Sequence, residues 1–254
     1  MIIYVAGYPK SGTTWLTRLL GDALRCRTGG SMESQDEIEV ATEGLDRPGD
    51  MIVRKGHFIL KDDENGLFVP KIHVMNWKAY NKDEYRVMFI VRDPRDIAVS
   101  GAYYRGSSVQ RSLHSMITGT GALRFVGPWN DYVLSWILRA DEFPFVLIRY
   151  EDLLKDPQEL ELALFKLGLE YSRRNITTAY IRQRFDNRVR DIKEHGDNYK
   201  LGKSLNLHLM HKGVAGEWRS HFEPKDAELS EKVFGELLRL LHYTKDSSWV
   251  KKWS

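Results

Sequence analysis

Apolar and polar positions fall in blocks along this chain, and the blocks switch between strand and helix periodicity. Ile2-Ile3-Tyr4-Val5-Ala6 is an unbroken apolar run with the length of a buried strand. After Tyr8-Pro9-Lys10-Ser11-Gly12-Thr13-Thr14-Trp15, apolar residues return at helical spacing: Leu16, Leu19, Leu20, Ala23, Leu24. Met51 to Arg54 predicts a short strand, and Tyr85 to Val91 is the clearest buried strand, apolar, β-branched and bounded by charges. Ile97 to Ser100 opens a helix, Trp129 to Ala140 predicts another, and Phe143 to Tyr150 gives a further strand. Asp156-Pro157-Gln158-Glu159 is a helix start, ending at Leu167 before Gly168. A helix from Ser172 to Phe185 and an amphipathic one from Ala227 to Leu241, placed over the sheet, follow. Strands alternating with helices predict an α/β fold, a central parallel sheet with helices on both faces.

Between these elements, residues 25–50 are polar and acidic and read as a long loop. Residues 101–127 read as a continued helix followed by a flexible cover. Asp62-Asp63-Glu64 reads as a solvated turn, Trp77 to Tyr80 as a helix near the sheet, and residues 182–203 as irregular.

At 254 residues the chain is expected to form one domain, 1–254. The net charge of +3 is too small for a typical nucleic-acid binder, though it suits an anionic ligand. Cys26 is the one cysteine, which excludes an internal disulfide and a cysteine zinc cluster and fits a reducing compartment. No apolar run approaches the ~20 residues that span a bilayer. The N-terminal strand lacks a signal-peptide pattern, so a cytoplasmic protein without a membrane partner is expected.

The loop after the first strand carries the candidate chemistry. It has glycines at 7 and 12 and hydroxyls at 11, 13 and 14, ahead of a helix N-terminus. Backbone N–H groups converging there favour an anion, above all a phosphate; the plainer reading is a tight turn without a ligand. Gly7 and Gly12 have nucleoside-triphosphate P-loop spacing, but position 13 is Thr and the lysine lies mid-loop, at Lys10. That favours a nucleotide with one short 5′ group over a triphosphate.

Tyr-Pro-Lys-Ser-Gly-Thr-Thr-Trp resembles the 5′-phosphosulfate loop of the sulfotransferases that use 3′-phosphoadenosine 5′-phosphosulfate (PAPS), particularly the cytosolic type acting on small molecules. The resemblance implies that Lys10, Ser11, Gly12, Thr13 and Thr14 face the 5′-phosphate and that Trp15 borders the adenine. Lys55-Gly56-His57 is similar to the family's Lys-x-His, which makes His57 the base and Lys55 the lysine beside the transferring group. Histidine suits a base because its pKa lies near working pH. Arg92 and Ser100 match the family's 3′-phosphate pair, whereas Arg95 and Asp96 read as surface pairing at a helix start. Tyr150 of Tyr-Glu-Asp lies near the nucleotide in this likeness, and Phe185 borders the adenine.

His211-Lys212-Gly213-Val214-Ala215-Gly216-Glu217-Trp218 resembles the C-terminal nucleotide loop, with His211 where the family has arginine. Lys212 and the Gly213 amide are then 3′-phosphate ligands, and His211 weakens nucleotide binding or makes it pH-dependent. Arg219 and Glu228 occupy the charged ends of the family's dimer motif, but Glu223-Pro224 replaces its Thr-Val, so the same dimer is not expected and the oligomeric state stays open.

The motifs at 8–15, 55–57, 92–100 and 212–218 follow the family order over nearly the whole chain. The implied activity is sulfonyl transfer from PAPS to a hydroxyl or amine of a small molecule, without a metal, leaving PAP, the 3′,5′-bisphosphate. Two alternatives remain at this point: a P-loop small-molecule kinase, and a nucleotide-binding module without catalysis. Residues 25–50 and 101–127 are expected to shape the acceptor site, with Tyr103 and Tyr104 as acceptor-stacking or core residues.

Overall fold

The structure, a computed structural model, describes residues 1–31, 51–57, 84–195 and 210–252. Five strands form one sheet: β1 (Ile2–Ala6), β2 (Arg27–Ser31), β3 (Ile52–Gly56), β4 (Tyr85–Val91) and β5 (Phe145–Arg149). They run parallel in the order β2-β3-β1-β4-β5. The most apolar run is therefore central: β1 pairs with β3 on one side and β4 on the other, Ala6 standing opposite both Gly56 and Phe89.

Successive residues of each strand point to opposite faces, so a continuous apolar strand needs a cover on both. One face presents Tyr4, Ala6, Val87, Phe89 and Val91. It packs under α2 (Pro94–Arg105), α3 (Val109–Thr118), α4 (Trp129–Ile137) and α9 (Pro224–Leu240), through Leu113, Met116, Trp129, Trp136 and Phe234 among others. The other face presents Ile3, Val5, Met88, Ile90 and Ile148 to α1 (Thr13–Leu24), α5 (Tyr150–Lys155), α6 (Gln158–Lys166) and α7 (Arg173–Arg182). Helix α8 (Phe185–His195) follows α7.

The stops and starts have local causes. Gly168 ends α6 at φ +67°, where a glycine is nearly free of strain. The Asp156 carboxylate accepts the Gln158 N–H at 2.8 Å, although α6 begins a residue later than the Asp-Pro signal predicts. Glu223 and Asp226 form a reciprocal capping box at the start of α9.

Three expectations are corrected. The segment read as a long loop begins with edge strand β2; the rest of it, residues 32–50, lies outside the described residues. The supposed flexible cover contains α3, whose Leu113 and Met116 are wholly buried. The helix drawn from Ser172 to Phe185 is two helices, and α8 occupies residues read as irregular. Asp62 to Glu64 and Trp77 to Tyr80 lie outside the described residues.

Candidate active site

The candidate residues gather where the parallel strands end, the ligand edge of such sheets. The loop after β1 is tight. A Cβ on Gly7 would stand 2.8 Å from the Ile90 carbonyl oxygen, and one on Gly12 2.7 Å from the Tyr150 ring. Gly12 has φ +100° and Lys10 φ +73°, so two residues of the loop are left-handed. Ser11 is fully buried; its N–H (3.0 Å) and its hydroxyl both donate to the Tyr8 carbonyl. The Tyr8 hydroxyl donates to the Gly127 carbonyl at 2.9 Å. Thr13 opens α1, and Gly12, its N-cap, offers no side chain to the first-turn amides.

Lys55, near the end of β3, donates to the Thr14 hydroxyl at 2.7 Å. His57 Nδ1 is 2.6 Å from the Gly7 carbonyl oxygen. A carbonyl only accepts, so Nδ1 carries the proton and the lone pair of the neutral ring belongs to Nε2.

Arg92, just past β4, is the joint of the site. It donates to the Lys10 carbonyl (3.2 Å) and to the Val214 carbonyl (3.0 Å), with its guanidinium 4.5 Å from the centre of the Tyr150 ring. One side chain thus ties the loop after β1 to the loop before α9. Trp15 donates to the Gln183 carbonyl at 3.1 Å and meets Tyr150 edge-on at 5.5 Å. A Cβ on Gly213 (φ +65°) would stand 2.7 Å from Phe185, so these two predicted ligand residues are in contact. Ser100 lies one turn beyond Asp96 on the buried face of α2.

The C-terminal loop carries its own ion cluster. His211 Nε2 and Lys212 Nζ approach the same Glu217 oxygen, at 2.9 and 2.6 Å. Burial pushes the Glu217 carboxyl up, but hydrogen bonds from Lys212 and His211 outweigh it and hold the group below the usual range. Burial, aided by the neighbouring cations Arg92, Arg105 and Lys55, lowers the Lys10 ammonium to about 8. The charged groups that lower Lys10 are cations, a field suited to an anion. Burial raises the Tyr150 hydroxyl above its ordinary value.

Arg95 and Asp96 are not a surface pair: both are 1% exposed. Arg95 pairs with Asp93 at 2.7 Å and packs against the rings of both Trp218 and Trp249, 4.0 and 4.4 Å from their centres. Asp96 accepts the N–H groups of Gly216 (2.6 Å) and Trp218 (3.0 Å), fastening the C-terminal loop to α2. Sequence reasoning missed this tether, since nothing in the spacing of Asp96 distinguishes it from an acidic residue at any helix start.

The match to known proteins follows the same map. A profile of the sulfotransferase domain covers residues 2–242. The chain belongs to the sulfotransferase domain family. Sulfotransferase 2A1 of Rattus norvegicus is 25% identical over 264 residues, covering 92% of this chain and 83% of the relative. Sulfotransferase 1 family member D1 of the same species is 22% identical, over 91% and 81%. Among solved structures, mouse sulfotransferase SULT7A1 complexed with PAP superposes with a TM-score of 0.68 at 22% identity, covering 98% of this chain and 87% of that one. A retinol dehydratase in complex with retinol and PAP gives 0.62 at 20%, over 93% and 81%. The fold is thus that of the sulfotransferases, the enzyme class the motifs predict. Among the described residues, no helix is long and apolar enough to cross a membrane.

Proposed function

We propose that this sulfotransferase moves a sulfonyl group from PAPS to a hydroxyl or amine of a small-molecule acceptor and releases PAP. The observation that carries the reading is Arg92, hydrogen-bonded to both nucleotide loops at once beside Tyr150. A cationic, glycine-lined cradle in which a Cβ would collide fits a phosphate in close backbone contact.

In this reading the amides of residues 12–14, with the Thr13 and Thr14 side chains, hold the 5′-phosphate, while Ser11 shapes the loop through its bonds to the Tyr8 carbonyl. Arg92, Ser100, Lys212 and Gly213 hold the 3′-phosphate, with His211 beside them. Trp15 and Phe185 flank the base, and Tyr150 backs the nucleotide. His57, its Nδ1–H fixed on Gly7, takes the acceptor proton at Nε2. Lys10 stabilises charge on the bridging oxygen as the sulfur–oxygen bond to the 5′-phosphate breaks, and Lys55 steadies the sulfonyl oxygens. The acceptor oxygen or nitrogen gains the sulfonyl group, and its proton leaves with His57. Two of the solved neighbours were crystallised with PAP, one of them also with retinol, which supports the cofactor and an apolar small-molecule acceptor class. We take residues 1–254 as one domain acting in the cytoplasm.

The test is a PAPS assay over phenols, steroids, lipids and sugars, with and without EDTA. Sulfonated product that persists in EDTA is expected. Product that requires ATP and Mg²⁺ supports a kinase, and PAP binding without transfer supports a regulatory module. His57→Ala is expected to lower turnover by about 10²–10⁴-fold, the usual worth of a general base, with PAP affinity unchanged. Retained turnover refutes the assignment of His57.

A further inference from the structure

The chain beyond α9 folds back onto the frame of the C-terminal nucleotide loop. The family profile ends at residue 242, and the residues after it still reach that frame. The Tyr243 hydroxyl donates to one Glu151 oxygen at 3.0 Å, and the other oxygen accepts the Asp93 N–H at 2.9 Å. Further on, in a short 3₁₀ helix (Ser247–Lys252), the Trp249 indole N–H donates to Glu231 of α9 at 2.7 Å. Glu231 is held in turn by Arg239. An indole N–H with a fixed acceptor fixes its ring.

The Trp249 ring meets two groups. It packs edge-on against Trp218, with centres 5.4 Å apart, and its centre is 4.4 Å from the Arg95 guanidinium. The same guanidinium is 4.0 Å from the Trp218 ring centre, so the three side chains touch one another. Both partners of Trp249 belong to the frame of the site. Arg95 stands on the first turn of α2, just after Arg92, and pairs with Asp93, the N-cap of that helix. Trp218 donates its backbone N–H to Asp96. Asp96 thus holds the backbone of Trp218, while Arg95 and Trp249 hold its ring. A ring face attracts a cation within about 6 Å of its centroid, and burial of Arg95 keeps that attraction from being screened.

We propose that Trp249 is a positioning residue: its ring seats Trp218 and Arg95 and, through them, the C-terminal loop that takes the 3′-phosphate. This rests on the assignment of the 3′-phosphate to that loop above.

Trp249 is half-buried at the rim of the core, so substitutions there are expected to fold. Trp249→Leu keeps apolar cover but removes the ring face, and Trp249→Phe keeps a ring face. The first readout is hydrogen exchange in nucleotide-free protein, which does not depend on activity. In Trp249→Leu the Gly216 and Trp218 amides are expected to exchange faster, while the Ser11 amide stays as it is. The second readout is calorimetry. Trp249→Leu is expected to bind PAP about fivefold more weakly, the scale of a cation–π contact, and 5′-AMP, which lacks the 3′-phosphate, as wild type does. Trp249→Phe is expected to return PAP affinity to within about twofold of wild type. Should the Leu variant fail to fold, Glu231→Ala frees the indole without removing it, and the same exchange pattern is expected. Unchanged exchange at Gly216 and Trp218 overturns the proposal. So do equal losses for PAP and 5′-AMP, which mark a general loosening of the fold, and a PAP loss that Phe fails to restore. If Lys212→Met does not separate PAP from 5′-AMP, the 3′-phosphate assignment falls, while the exchange readout still decides whether the ring seats the loop.

Discussion

The two loops joined by Arg92 differ in how much of their support is their own. The loop after β1 has a shape set largely by its own backbone, with bonds to Gly127, His57 and Arg92 added: it leaves a central strand, turns through left-handed Lys10 and Gly12, buries Ser11 on its own Tyr8 carbonyl, and enters α1. The loop before α9 has its own Glu217 ion cluster but leans more on distant residues. Asp96 accepts two of its amides, Arg92 donates to the Val214 carbonyl, and Phe185 closes over Gly213. Val214 is 42% exposed, and the Lys212 side chain is 57% exposed. A loop set by its own residues keeps its shape when remote contacts are lost; a loop set by remote contacts does not.

The largest effect is expected where the internal loop is broken. Gly12→Ala places a side chain at φ +100° and 2.7 Å from Tyr150. Backbone strain of this kind costs about 1–3 kcal/mol, and with the collision we expect PAP affinity to fall roughly 100-fold by calorimetry. Wild-type affinity would show that this loop does not need its conformation.

Next is the external tether. Asp96→Asn removes the charge and leaves one of the two amides without its acceptor. Hydrogen bonds to charged groups are worth about 1.5–3 kcal/mol, so PAP affinity should fall about tenfold. Hydrogen exchange should rise at Gly216 and Trp218 but not at Ser11, and equal protection at both loops would erase the distinction drawn between them.

A smaller effect separates the loops by pH. Without nucleotide, burial and neighbouring cations lower the Lys10 ammonium to about 8, and a bound phosphate favours the ammonium, so the complex has the higher pKa. Affinity is then complete below about pH 8 and declines above it, by less than tenfold per pH unit for one proton. Lys10→Met should abolish this decline; its persistence would place the titrating group elsewhere. The smallest change is His211→Arg, which supplies a permanent charge where His211 shares Glu217 with Lys212. PAP should bind roughly threefold tighter, the scale of one modest ionic contact, and an unchanged or weaker Kd argues against it.

The same contrast explains what the sequence discloses. Elements with a local cause are legible: β4 is unbroken apolar from Val87 to Val91, α6 stops at Gly168, and the loop after β1 announces itself through glycine and hydroxyl spacing. Strand β2 is hidden because Arg-Thr-Gly-Gly-Ser is polar, lies at the sheet edge and shifts register between Thr28 and Ser31. In α3 the inward residues Leu113 and Met116 are masked by neighbouring Ser and Gly. In α8 Ile192 is buried among charged residues, too thin a stripe to read as a helix. The Asp96 tether joins positions 120 residues apart in the chain, and no local pattern reports it. Motif order locates the candidate residues, whereas the contacts among them depend on packing.

The central claim is that the two loops grip opposite ends of one nucleotide. Calorimetry of Lys212→Met with PAP and with 5′-AMP tests it most directly, because 5′-AMP lacks the 3′-phosphate assigned to Lys212. The account predicts a loss of about tenfold for PAP, the worth of one charge-assisted contact, and none for 5′-AMP. Equal losses for both nucleotides would contradict it.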